Sequence, residues 1–69
     1  MKPDHLVRMA NQIADFFASY PREEAVVGTA DHLRKFWDPR MRRTILDHVQ
    51  AGGAGLRDIA LEAVRRLGH

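Results

Sequence analysis

Apolar residues recur at helical spacing through four stretches of the chain, and prolines and glycines fall between the stretches. With Leu6 as origin and a step of roughly 100° per residue, Leu6, Met9, Ala10, Ile13, Phe17 and Tyr20 share one stripe, while Asp4, Arg8, Asn11, Asp15 and Ser19 fall opposite. Pro3 suits a first helical turn because it has no amide hydrogen to leave unpaired, and the pattern predicts a helix over 4–19. Pro21 restarts the chain. Glu23 and Glu24 then meet the positive end of a helix dipole, and Val26, Ala30, Leu33 and Trp37 make the stripe of a second helix over 22–37. Gly28 lies inside it and costs ~1 kcal/mol relative to alanine, so either another backbone approaches there or the helix is imperfect. Asp38 before Pro39 is pushed out of the helical region, as an N-cap must be, and opens a third helix over 39–51 that buries Met41, Ile45 and Val49. Gly52 can take a left-handed C-cap, with Gly53 and Gly55 completing a helix-helix turn. Leu56, Ile59, Ala60, Ala63, Val64 and Leu67 keep the period over 56–67, where Arg65 and Arg66 oppose the negative dipole end. No stretch reads as a strand. The expected fold is all-α, a compact bundle of four helices forming a single domain over 1–69.

Composition narrows what such a bundle can be. The chain has 69 residues, enough for one small module. A domain of this size buries only ~60% of its unfolded surface and commonly leans on a disulfide, a metal or a partner. The absence of cysteine removes disulfides, thiolate metal sites, cysteine-ligated iron-sulfur clusters and a cysteine nucleophile together, leaving a partner as the expected support. A hydrophobic share of 45% with 29% charged residues is too apolar for a disordered chain and too interrupted by charge for a membrane span. Eleven bases against nine acids give a net charge of only +2, so the placement of the bases matters more than their number. The opening residues MKPDH lack the apolar stretch of a signal peptide, and cytoplasmic residence is expected.

Few side chains suggest chemistry of their own. His5, His32, His48 and His69 include no pair at the i, i+4 spacing that puts two imidazoles on one helix face, and no serine, histidine and acid suggest a triad. GGAGL at 52–56 follows a helix and lacks the lysine of a phosphate loop. The run Arg34, Lys35, Arg40, Met41, Arg42, Arg43 is the densest basic segment, and a small helix-turn-helix-like nucleic-acid-binding protein is the alternative it raises. Asp31, Asp38 and Asp47 interleave with that run, and the rigid Asp38-Pro39 pair stands where that motif often has a small flexible residue. Val7, Phe16, Val27, Phe36, Leu46 and Leu61 lie at the flanks of their stripes or outside them. Such a surplus either widens the core or marks a protein interface. Phe36, Asp38, Arg40, Arg42 and Arg43 are the expected partner-binding set, held by Trp37 and Pro39 as structural residues. Arg40 and Arg43 stand at the helix end where the dipole disfavours cations, which an acidic partner surface would explain. Asn11 and Gln12 join the set because adjacent amides can donate to and accept from a partner's backbone.

Three stretches, DHLVRMANQIADFF at 4–17, HLRKFWDPRMRR at 32–43 and GGAGL at 52–56, together resemble the delta subunit of NAD-dependent formate dehydrogenase. The resemblance runs over nearly the whole chain in the right order. It implies a non-catalytic small subunit of a cytoplasmic complex whose alpha subunit carries a molybdenum or tungsten pterin and iron-sulfur clusters. Beta and gamma subunits would carry flavin (FMN) and further clusters, and electrons would pass from formate to NAD. No cofactor is expected in this chain. Its implied task is to support assembly, stability or maturation of the alpha subunit.

Overall fold

Each proline stands at the start of a helix in the computed structural model, which describes residues 2–68. The helices are α1 (Pro3–Phe17), α2 (Arg22–Phe36), α3 (Pro39–Gln50) and α4 (Asp58–Leu67), and no strand occurs among the described residues. The all-α expectation holds, with differences at the ends. α1 stops at Phe17 instead of residue 19, because Ala18 and Tyr20 turn back to bond the carbonyls of Asp15 and Phe17 at 3.2 and 3.0 Å. Tyr20 therefore leaves the stripe and is exposed. α2 and α3 each end one residue early, with Trp37 and Ala51 as caps. α4 starts at Asp58 rather than 56. Arg57 is extended (φ −78°, ψ 166°), and its amide hydrogen is taken by the Asn11 side chain.

Gly28 does not interrupt α2. A Cβ there would come within 2.7 Å of Phe17 Cε1, so the ring of Phe17 lies directly on the glycine and seals the hairpin of α1 and α2. The close approach is made by an aromatic side chain of the chain itself. The α3–α4 turn uses its glycines differently. The Gly52 amide donates to Val49 O at 3.0 Å and the Gly53 amide to His48 O at 2.9 Å, the paired bonds of a Schellman cap. Gly53 holds φ 69°, and a Cβ on it would press Leu61 Cδ1 at 2.8 Å. His48 Nε2 donates to Ala54 O at 2.7 Å and tightens the same turn.

The main core gathers Leu6, Ala10 and Ala14 from α1, Leu33 and Trp37 from the end of α2, Ile45 from α3, and Ala60 and Val64 from α4. Val26 and Ala30 close on Ala63 in a smaller cluster between α2 and α4. Alanines at so many contact positions let helix axes approach closely, since interaxial distance follows the size of the side chains between them. Thr29 is buried with its hydroxyl donating to Ala25 O at 2.8 Å, so its burial leaves no polar atom unpaired. Of the apolar surplus, Val7, Leu46 and Leu61 are half-buried and widen the core, whereas Phe16, Val27 and Phe36 are exposed.

Arginines stitch the outside. Arg22 pairs with Asp58, Arg57 with Asp15 at 2.6 Å, Arg34 with Asp31 at 3.2 Å, and Arg66 makes a two-pronged pair with Glu23 at 2.6 and 2.8 Å. The hydrogen bonds from Arg66 hold the Glu23 carboxyl below the usual carboxylate range and raise the Arg66 guanidinium. Exposed pairs of this kind contribute little each. Their main effect is to occupy acids on α1, α2 and α4.

Candidate docking surface

The α2–α3 turn is fixed from both sides. Trp37, 4% exposed, anchors it in the core. Asp38 caps α3 by accepting the Met41 amide at 2.9 Å, and Pro39 presets the next φ. Arg42 reaches back across the turn and donates to the carbonyls of Trp37 and, at 3.1 Å, Arg34, two groups that the end of α2 would otherwise leave without a partner. Arg42 is thus occupied within the chain. Arg40, Arg43 and Lys35 are exposed and make no ion pair or side-chain hydrogen bond among the described residues. The first turn of α3 holds no acid beside Arg40, and the Asp38 carboxylate at its N-cap is engaged by the Met41 amide.

Beside this turn the seam of α1 and α2 stays open as an apolar groove of about 570 Å³. Met9, Ile13, Phe17, Trp37 and Met41 line it, with Gln12 at its margin. Its walls are two aromatic pairs. Phe16 packs edge-on against Phe17 with centroids 5.1 Å apart, and Phe36 lies over His32 at 4.6 Å. Phe16 and Phe36 nevertheless remain 73% and 71% exposed, far beyond what an isolated pair of core residues would show. All nine lining side chains are uncharged when His32 is neutral, and none is an acid.

The sequence-derived set is therefore divided. Phe36, Gln12 and Trp37 come together in the groove lining, Asp38 and Pro39 fix the turn, and Arg40 and Arg43 stand on the exposed side of α3 outside that lining. Asn11 faces away from it. Its Nδ2 donates to Gly55 O and its Oδ1 accepts from the Arg57 amide, both at 2.9 Å, so the amide expected to project from the polar side is used up holding the α3–α4 loop against α1. Met9 and Ile13 pack against the core, as their place on the α1 stripe predicts, and their outer sides also line the groove; His32, expected at the surface, stacks on Phe36 at the groove wall. Phe16 and Phe36 had one visible signal, their position off the stripes of two consecutive helices. Among the described residues no three of His, Asp and Glu gather as a metal site would need, and no helix is long and apolar enough to cross a membrane.

Comparison with known proteins adds one match. The sequence model of the family described as NADH-dependent formate dehydrogenase delta subunit, FdsD, fits residues 5–64, which take in the groove, the α2–α3 turn and the glycine turn. No curated protein and no solved structure gives a match.

Proposed function

This chain belongs to the delta-subunit family of NADH-dependent formate dehydrogenase, and we propose that it is a non-catalytic subunit of such a complex in the cytoplasm. In this reading it docks on the large molybdenum- or tungsten-containing alpha subunit and supports that subunit's assembly, stability or maturation. The pterin, iron-sulfur clusters, FMN and the NAD site belong to the alpha, beta and gamma subunits. The family match over residues 5–64 is the observation that carries the reading. Two features agree with it. The residues that hold the α2–α3 turn are consumed in shaping a surface, and two large aromatics stand exposed beside it without an intramolecular cover.

Co-expression of the complex with and without this chain tests the role. Omitting it should lower the amount of assembled alpha subunit, or its molybdenum or tungsten content per chain, with formate-dependent NAD reduction falling in proportion. The purified chain alone should turn over no formate. Full assembly, metal content and activity in its absence would overturn the reading, as would turnover by the chain alone.

A further inference from the structure

We propose that the groove between α1 and α2 receives an acidic segment of a partner subunit, with large apolar side chains seated between Phe16 and Phe36 and carboxylates set against Lys35, Arg40 and Arg43. The inference rests on the subunit reading above and specifies the chemistry of the contact.

The groove's shape and its charge point to the same occupant. Its floor of Met9, Ile13 and Met41 is apolar and adaptable, thioether side chains filling irregular gaps more readily than branched ones. Phe16 and Phe36 each already pack against a neighbouring ring, which leaves a broad apolar surface for a segment to pack between them. Three exposed cations are close in the chain to lining residues: Lys35 precedes Phe36, Arg40 precedes Met41, and Arg43 follows Arg40 by about one turn of α3. An arginine at the start of a helix works against the dipole, and neither Arg40 nor Arg43 has an ion-pair partner among the described residues. Carboxylates arriving from outside would give those cations the partners they lack. They would also speed encounter and fix the direction in which the segment lies.

A second copy of this chain is a poor source of those carboxylates. Asp15, Glu23, Asp31, Asp58 and Glu62 are each held by an arginine of their own chain, and Asp38 is held in its cap. Asp4, Glu24 and Asp47, the acids without such a contact among the described residues, lie on three different helices and form no cluster. The acidic surface therefore belongs to another polypeptide.

The test uses the co-expressed complex with a photoreactive phenylalanine analogue in place of Phe36, followed by irradiation and mass spectrometry of the linked peptide. The expected product is a peptide of a partner subunit that contains Asp or Glu together with Leu, Ile, Met or an aromatic. A peptide without acids overturns the proposal, and a peptide of this same chain assigns the groove to a second copy. Two variants supply an independent readout. F16A/F36A should weaken capture of the complex by roughly tenfold or more, a difference of about 1.4 kcal/mol. R40E/R43E should weaken it further at low salt than at high salt, because charge repulsion is screened. Both variants should keep the wild-type circular dichroism and melting temperature within a few degrees, since the four side chains are exposed. Unchanged capture by both variants would refute the groove while leaving the subunit reading standing. Failure of the wild-type chain to capture any subunit would refute the reading itself.

Discussion

Asn11 has its side-chain amide engaged on both sides, donating to Gly55 O and accepting from the Arg57 amide at 2.9 Å. One residue thereby satisfies a loop carbonyl and one of the amides that the start of α4 leaves without a helical partner, work done elsewhere by a local N-cap. Arg57, the N-cap position of α4, forms no side-chain cap of its own, so no local substitute exists. Asn11→Ala should cost about 1–3 kcal/mol in urea unfolding at neutral pH, the range for two lost hydrogen bonds partly replaced by water. Gln12→Ala, beside it but exposed, should stay within about 0.5 kcal/mol. The sequence places these two amides side by side on the polar side of one helix and gives no hint of their different roles. The difference comes from a loop more than forty positions along the chain, which a helical wheel cannot contain. Trp37 behaves oppositely: its place on the α2 stripe is sufficient to put it in the core, and its truncation to alanine should cost ~3–5 kcal/mol, enough to unfold a domain this small.

At the level of helices, the boundaries were legible wherever they depend on neighbouring residues. Pro3, Pro21, the Asp38-Pro39 pair and Gly52 act through their own backbone geometry, and each marks a real helix end. The start of α4 was misplaced by two residues because it depends on Asn11, and Tyr20 was misplaced because α1 ends before reaching it. The groove was legible only in part. Phe16 and Phe36 stood off their stripes, but which apolar residues are left uncovered depends on how two helices cross. Gly28 shows how far a local rule can mislead. Replacing a mid-helix glycine with alanine ordinarily stabilises by ~1 kcal/mol. Here the new methyl would meet Phe17 at 2.7 Å and displace a ring packed against both Phe16 and Tyr20. Gly28→Ala should therefore lower the melting temperature, and Phe17→Leu in the same chain should recover part of the loss, which thermal unfolding of the single and double variants will measure.

For the molecule as a whole, acid should loosen the tie between α2 and α4. Glu23 has its folded-state pKa lowered by hydrogen bonds from Arg66, so its contribution to stability is present above the unfolded carboxylate value of about 4.3 and disappears as pH falls through the lowered folded value. Melting temperatures taken between pH 7 and pH 3 should fall at the acid end of that range. Glu23→Gln should show a smaller fall, having lost the increment beforehand. A larger motion has its own reporter. The Arg57 amide sits at an exposed helix start, where backbone hydrogens ordinarily exchange with solvent within moments, yet its hydrogen is bound to a side chain on α1. Deuterium can replace it only when the Asn11 side chain lets go of the start of α4. The exchange rate of that single amide, followed by NMR, therefore reports how often the contact between α1 and the loop before α4 opens, and a partner that fixes α1 and Asn11 in place should slow it without touching α4.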